Sequence, residues 1–108
     1  MKMIGGNIEA VLQQMTGSET NHLGEKVQSW TDIHTLWGWL DLSSGDSKYT
    51  YDAKLQESTH IFITEYAPID RHTNGKRLVV NGMSYDVLLI DDPMGLHRQL
   101  EIYLKFVG

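Results

Sequence analysis

A strict alternation of apolar and polar side chains near the C-terminus constrains the fold of this chain more than any other feature. In the stretch QLEIYLKFV, which begins at Gln99, one face carries the apolar residues Leu100, Ile102, Leu104 and Phe106. A period of two is typical of a strand with one face buried and the other facing solvent. The stretch therefore predicts a β-strand and a sheet that supplies its neighbours.

Two further strands are predicted directly upstream, in the stretch KRLVVNGMSYDVLLIDD. The dipeptide Asn81-Gly82 separates two alternating runs, and Asn-Gly tolerates the two positive φ angles of a type I′ turn. Pro93 and Gly95 then interrupt the pattern before the last strand. The C-terminal third is therefore predicted to be a three-stranded meander with one tight turn and one longer loop.

The N-terminal half shows the same period with more interruptions. Residues 7–15 (NIEAVLQQM) predict a first strand, and the polar residues 16–25, which include two glycines, are expected to be a connection. The stretches KVQSWTD and IHTLWGWLDL, residues 26–32 and 33–42, predict two separate strands.

Apolar side chains lie on both faces of the second of these stretches. Trp37 and Trp39 fall on one face, and three leucines fall on the other: Leu36, Leu40 and Leu42. The pattern predicts a strand covered on both sides, and Gly38 predicts a bulge or a bend. Two tryptophans separated by one residue on a strand more often pack in the core or on the sheet than form a stacking site for bases or sugars.

A long polar segment separates that strand from the next. The stretch SSGDSKYT breaks the alternation, and THIFITEY restores it, so we expect residues 43–58 to form an inserted loop or a short helix. With about six to seven short strands and little helix, the sequence predicts a mainly β fold, a small antiparallel β-barrel or sandwich. A single domain is expected over residues 1–108.

Composition argues against several classes of protein. A hydrophobic content of 41% suffices for one core in 108 residues, and zero cysteines exclude a disulfide scaffold, a thiolate zinc site and a cysteine nucleophile. The net charge of −5 argues against a surface built to grip phosphates. Since no apolar run has the length of a membrane span or a signal-peptide core, we expect a soluble, unsecreted protein without membrane contact.

No group of residues predicts catalysis or metal binding. The five histidines include no pair at metal-ligand spacing. Asp91 and Asp92 precede Pro93, where aspartates more often bond turn amides than a cation. The sequence has no nucleophile elbow and no glycine loop that would cradle a phosphate. We therefore predict no catalytic residue, no metal, no cofactor and no enzymatic activity.

The order of these elements resembles the head-tail joining (head-completion or stopper) proteins of long-tailed bacteriophages. The resemblance covers Ile8 to Val107 and rests on the sequence of its pieces: a first strand, a polar loop with glycine, VQSW, LWGWLDL, the insert YTYDAKLQEST, HIFITEY, a basic hairpin strand, NGMSYDVLLIDDP and LEIYLKFVG. The chain departs from the family pattern at Glu65, where members often carry an arginine, so we assign no basic contact to that position.

The resemblance implies a structural virion protein that assembles as a ring, a hexamer or a dodecamer, at the head-tail connector. Such a ring lies beneath the portal and its adaptor, closes the DNA exit channel after packaging and offers the tail a docking surface. The expected partners are the portal or adaptor ring, tail proteins and other copies of the chain, with DNA only passing through. The expected location is the head-tail interface of the virion, after assembly in the host cytoplasm.

Within that expectation, the insert is the candidate interface or channel loop, because a compact barrel needs no connection of this length. The candidate contact residues are Asp46, Lys48, Tyr49, Tyr51, Lys54, Leu55 and Glu57. A secondary basic patch is predicted from Arg71, Lys76 and Arg77. Two other interpretations remain open: the insert caps an open end of the barrel, or it becomes ordered only on assembly.

Two other functions also remain open from the sequence. A tail-completion or tail-terminator-like subunit would share the barrel and the ring habit, and a non-viral module would bind a ligand on an exposed Trp37-Trp39 face.

Ring contacts are expected at edge strands, either the first strand or the strand after the insert, because ring closure joins two different patches.

Overall fold

The computed structural model describes residues 8–42 and 57–108, and strands account for most of this part of the chain. The described elements are β1 (Ile8–Thr20), β2 (Lys26–Leu42), β3 (His60–Glu65), β4 (Lys76–Val80), β5 (Met83–Asp91), a 3₁₀ turn (Pro93–Gly95) and β6 (Gln99–Phe106). The predicted mainly β fold is confirmed.

The six described strands form a closed antiparallel barrel. They pair in the order β1-β2-β3-β6-β5-β4, and β4 pairs with β1 to complete the ring of strands. Closure satisfies the backbone groups that the edges of an open sheet would expose. The last three strands form the predicted meander, and the φ angles of 52° at Asn81 and 78° at Gly82 suit the predicted type I′ turn.

Side chains from all six strands fill the barrel interior. The largest fully buried apolar residues are Phe62, Leu12, Leu78, Leu100, Ile102, Leu104 and Val80. Each such side chain contributes about 1.5–3 kcal/mol relative to an exposed one. The predicted inward face of β6 is confirmed as far as Leu104, whereas Phe106 is 45% exposed at the end of the strand.

A bulge in β5 changes which of its residues face the core. The register with β6 shifts between Val87 and Leu89. Tyr85 and Val87 are buried before the bulge, and Ile90 is buried after it. An uninterrupted period of two would have placed Leu89 in the core, so the bulge redirects the end of the strand.

The β1–β2 hairpin is longer than the sequence predicts. The expected connection over residues 16–25 is wrong because β1 continues to Thr20, and the two strands expected over residues 26–42 are one 17-residue strand. Pairing between β1 and β2 continues as far as Thr20 and Lys26. This pairing holds the polar residues of both strands in an extended conformation. Register shifts near Gln13 and Thr16 adjust the hairpin along its length.

A tight turn closes this hairpin. Asn21 Oδ1 accepts hydrogen bonds from the amides of Leu23 and Glu25, at 2.9 and 3.0 Å. Gly24 has a φ of 82°, a conformation that L side chains rarely adopt. The turn therefore depends on an Asx-type side-chain contact and one glycine.

Part of the hairpin projects beyond the barrel, and we call residues 15–31 the arm. β4 pairs with β1 only as far as Gln14, and β3 pairs with β2 only from Gly38 onward. At about 3.3 Å per residue, the 17 residues of β2 extend about 56 Å, comparable with the longest dimension of the protein, 52 Å. The projection of the arm therefore accounts for the elongated shape.

Gly38 is a site of close backbone approach and not the predicted bulge. It pairs with Ile8 and with Thr64 without a register shift at that position. A Cβ atom at Gly38 would lie 2.1 Å from the carbonyl oxygen of Ile63. Trp37 and Trp39 are 51% and 47% exposed, so the prediction that this strand is covered on both sides is wrong in the described structure.

Candidate functional site

The barrel has two unlike ends. At one of them, the arm end, lie the arm, the connection between β3 and β4 (residues 66–75) and the turn between β5 and β6 (residues 92–98). At the other, the insert end, lie the β4–β5 hairpin turn and the two strand ends that the insert joins, Leu42 and His60. The protein therefore presents different surfaces along its axis.

At the insert end, the chain that returns from the insert is tied closely to the barrel. The amide of Thr59 donates to Leu104 O, and the amide of Phe106 donates to Thr59 Oγ1, both at 2.8 Å. The His60 ring packs edge-on against Tyr85 with 5.0 Å between centroids, and Phe106 lies beside both rings. This aromatic cluster fixes the C-terminal anchor of the insert.

Most of the candidate insert residues lie outside the described residues: Asp46, Lys48, Tyr49, Tyr51, Lys54 and Leu55. Glu57 is described, and its side chain is exposed at the rim of a groove between the arm and β5. The interface role of the insert therefore stays a prediction.

Lys76, from the predicted basic patch, closes the arm end of the barrel from within. Its side chain is 3% exposed, and its Nζ donates to Asp70 O at 3.1 Å and lies 3.8 Å from Asp70 Oδ2. Ala67 is buried and Ile69 packs against the core, so the connection of residues 66–75 covers this end. A buried ammonium requires such partners, because an unpaired buried charge is strongly destabilising.

Arg77, a second member of the predicted patch, links the barrel to the base of the arm. Its Nε donates to Gln13 Oε1 at 2.7 Å, and its guanidinium carbon lies 4.0 Å from the centroid of the Trp30 ring. Gln13 Nε2 in turn donates to Asp32 Oδ1 at 2.7 Å. Arg71, the third member, is exposed on the β3–β4 connection, next to Asp70, whose carbonyl oxygen accepts from Lys76. A shared role of the three residues in binding stays a prediction.

An open groove of about 390 Å³ lies between the arm and β4–β5. Its lining is mixed and includes Met15, Trp30, Leu88, Glu57, Asp86 and Thr73. Protein interfaces are enriched in aromatic residues and Met but depleted in Asp and Glu, so this mixed lining does not by itself mark a contact surface. None of the described residues that line the groove is a histidine or a cysteine.

The turn between β5 and β6 is organised around the carboxylate of Asp92. It accepts a hydrogen bond from the amide of His97 at 3.0 Å and bonds His97 Nδ1. Burial raises the pKa of Asp92, but the hydrogen bonds from His97 outweigh burial, so the pKa lies below its ordinary value. The prediction that the aspartates bond turn amides is therefore confirmed at Asp92.

A second surface lies on the outer face of β2, β3 and β6. Trp39 pairs with Ile63, and Ile63 pairs in turn with Glu101. Burial raises the pKa of the Tyr103 hydroxyl on the same face, and the carboxylates of Glu101 and Asp91 raise it further. The result is a half-exposed aromatic and aliphatic patch beside carboxylates, which is a candidate contact surface.

Sequence reasoning missed the arm. The available signal was Asn21 and Gly24 at the centre of one long run, with Val27, Thr31 and Ile33 continuing the strand beyond them. The many polar residues made this run look like a connection. Their side chains are exposed because the arm projects from the barrel, so hydrophobic alternation carries little information there.

The described part of the chain contains no helix long and apolar enough to cross a membrane. It also contains no group of three or more histidine, cysteine, aspartate or glutamate residues arranged to hold a metal ion.

Comparison with known proteins identifies a family and a fold. The family model described as "Phage head completion protein" matches residues 5–105. A chain of the solved structure "Virion of native gene transfer agent (GTA) particle" has a TM-score of 0.53 and 15% sequence identity, with 94% of each chain covered. At that identity the likeness concerns the fold. No curated protein matches the sequence.

Proposed function

Because the chain belongs to the phage head completion protein family, we propose that it forms a ring at the head-tail connector, beneath the portal and its adaptor. The ring closes the DNA exit channel after packaging and provides the surface on which the tail docks. Membership in the family makes the chain a structural component of the phage virion. The ring, the channel and the docking surface belong to the proposal.

The structural observation that best supports this proposal is the difference between the two ends of the barrel. The arm extends from one end, and the insert joins the other end at Leu42 and His60. A connector subunit contacts one set of proteins toward the head and another set toward the tail. A closed barrel whose two ends carry different strand ends and connections meets that requirement.

The charge of the chain is consistent with a channel through which DNA slides. Each phosphate that a protein neutralises adds affinity through counterion release. The chain has 14 acidic and nine basic residues, and two of the basic side chains, Lys76 and Arg77, already have hydrogen-bond partners within the fold. The proposed role is structural and involves no cofactor and no reaction.

The insert has a defined place in this proposal. In the assembled ring, residues 43–58 contact a neighbouring subunit or project into the channel. Hydrogen exchange over these residues, in the free chain and then with portal-adaptor particles, tests this role. Protection that appears only in the mixture supports it, and equal protection in both samples contradicts it.

The function itself is tested with DNA-filled heads that carry portal and adaptor but lack this protein. We expect the purified chain to bind these heads, to protect their DNA from added nuclease and to make them accept purified tails. Heads that lack the adaptor are the control and should not bind. Counting bound subunits by native mass spectrometry distinguishes a hexamer from a dodecamer.

The same preparations separate this function from a tail-completion role. A tail-completion subunit would bind purified tail tubes and leave the portal-adaptor heads unoccupied. Trp37 and Trp39 are about half exposed, so quenching of their fluorescence by sugars or oligonucleotides would instead indicate a ligand-binding module. Either result would contradict the proposed head-completion function.

A further inference from the structure

We propose that the arm is the contact between subunits, in which the free edge of β1 in one copy pairs with the free edge of β2 in the next copy. The proposal rests on the ring put forward above, and it names the surface that builds this ring. Its partner is a second copy of this chain, recognised mainly through backbone hydrogen bonds.

The arm, together with the adjoining residues 32–36 of β2, has two strand edges without a neighbouring strand among the described residues. β4 pairs with β1 up to Gln14, so residues 16–20 of β1 have a free outer side. β3 pairs with β2 from Gly38 onward, so residues 26–36 of β2 also have one. The barrel itself is closed. Among the described residues β5 also extends past β4, over residues 88–91, but the edge of β2 over residues 26–36 is the longest one without a neighbouring strand.

The longer of these edges is regular from Lys26 to Asp32, and a bulge at Ile33 ends this regular part, where the register with β1 shifts. Residues 26–36 read KVQSWTDIHTL, without proline, and the lysine stands at the far end. Native proteins commonly protect an edge with proline, with central lysines or by keeping it short. Val27, Thr31 and Ile33 are β-branched residues, which favour the extended conformation. This edge is therefore suited to accept another strand.

A second copy suits the arm better than a foreign strand. The two edges are different from each other, so a heterologous contact repeated around a ring pairs both edges of every arm. A foreign strand would cover one edge and leave the other exposed. The only charged residues in the segment 16–31 are Glu19, Glu25 and Lys26, so neighbouring arms repel each other little.

The base of the arm is held in a fixed direction relative to the barrel. The amide of Met15 donates to Gly75 O at 2.7 Å, and the guanidinium of Arg77 lies over Trp30. An isolated two-stranded hairpin is only marginally stable in water, and added strands stabilise it. Pairing between subunits therefore stabilises the element that makes the contact.

Cysteine cross-linking tests this arrangement, because the chain has no cysteine of its own. Ser18 and Gln28 are paired within the arm and so lie at the same height along it. We would mix the single variants Ser18→Cys and Gln28→Cys under mild oxidation, and would repeat the mixture with Lys26→Cys to allow for a stagger between copies. Met83→Cys, at the exposed β4–β5 turn, is the control for random collision.

We expect Ser18→Cys to form a mixed disulfide dimer with Gln28→Cys or Lys26→Cys, at about ten times the yield of any same-variant dimer, because a heterologous contact never brings identical edges together. A predominance of same-variant dimers would overturn the proposal, since it indicates a two-fold contact. Yields no higher than those of Met83→Cys would overturn it as well. In every sample, circular dichroism checks that the barrel remains folded.

Disruption of the edge provides an independent readout. The double variant Val27→Lys/Ile33→Lys places charges along β2 and should lower the mixed-dimer yield about tenfold, because lysine on an edge opposes strand pairing. Leu42→Lys is the matched control: it changes another exposed apolar residue of β2, in the part already paired with β3. Equal losses in both variants would contradict the assignment.

These results are distinguishable from those that test the function. If the chain protects DNA in adaptor-bearing heads but gives no mixed disulfide, the arm proposal fails while head completion stands. If mixed disulfides form but the chain does not bind heads, the subunit contact stands and the proposed function fails.

Discussion

The barrel and the arm are built from the same two strands yet are stabilised differently. In the barrel, β1 contributes Ala10 and Leu12, both completely buried, to a core shared by all six strands. In the arm, residues of the same strand from Met15 onward are exposed. One half of the hairpin is held by tertiary packing, and the other half mainly by local pairing and its turn.

This difference separates two tasks within one small chain. A closed barrel buries its apolar face and satisfies its strand edges, so it is stable alone and offers no strand for others to pair with. A projecting hairpin leaves its edges available and contributes little to global stability. Substitutions should therefore affect folding in the barrel and assembly in the arm, and the following predictions test that division.

The largest difference is expected between Phe62→Ala in the barrel and Leu23→Ala in the arm. Phe62 is completely buried, and its truncation should lower the free energy of unfolding by about 4 kcal/mol, through lost burial and a cavity. Leu23 is 70% exposed, so its truncation should change stability by less than about 0.5 kcal/mol. Urea denaturation measures both, and similar losses would show that the arm belongs to the cooperative core.

Two glycines of the same hairpin provide a closer comparison. A methyl group at Gly38 meets the carbonyl oxygen of Ile63 at 2.1 Å, so Gly38→Ala should destabilise the barrel by about 3 kcal/mol. At Gly17 a methyl group meets nothing within 4 Å, and Gly17→Ala should be neutral or stabilise by up to about 1 kcal/mol. Thermal unfolding of the two variants checks this, and a tolerated Gly38→Ala would contradict the close approach.

A smaller effect is expected where barrel and arm meet. Arg77→Met retains an apolar side chain of similar length but loses the hydrogen bond to Gln13 and the cation–π contact with Trp30. We expect a loss of about 1 kcal/mol in unfolding free energy. Exchange of the backbone amides near Met15 and Trp30 should become faster, while exchange in β6 should change little. Uniformly faster exchange would show that Arg77 supports the whole barrel.

The smallest effect concerns pH and the arm end of the barrel. The amide of His72 and the nearby Lys76 lower the pKa of Asp70 against the opposing effect of burial, and the hydrogen bonds from His97 lower that of Asp92. A carboxyl group whose pKa is lowered by folding binds a proton more readily in the unfolded chain than in the folded one. Its contribution to the free energy of unfolding is therefore present above pH 3.8 and is lost as the pH falls below that value.

Unfolding measured between pH 6 and pH 2.5 checks this dependence, and the range brackets the ordinary carboxyl pKa of about 4. Asp92→Asn removes one of the two groups and should reduce the slope of stability against pH in the acidic range. An unchanged slope would show that Asp92 does not contribute. Neither Asp70 nor Asp92 belongs to the arm. The yield of mixed disulfides should therefore change with pH only in the acidic range where the barrel itself unfolds.

The sequence alone determined the parts of the structure in which the hydrophobic pattern and local turn chemistry agree. Alternation predicted β6, because a strand with one buried face needs an apolar residue at every second position. Asn81-Gly82 predicted the β4–β5 hairpin, because a type I′ turn needs residues that tolerate positive φ angles. The mainly β class followed from these elements. The order of the elements also indicated the family, which the match over residues 5–105 confirms.

Tertiary structure alone decided which strands that are distant in sequence lie next to one another. Closure of β4 onto β1, the bulge that turns Ile90 inward and the approach of β3 to Gly38 all join residues far apart in sequence. The same holds for Arg77, whose partner Gln13 lies 64 residues away in sequence, whereas Lys76 is buried through a contact with the nearby Asp70. The arm was not predicted because its residues are held by strand pairing and face solvent. A strand without a buried face needs no alternation of apolar and polar residues, so the sequence pattern does not indicate it.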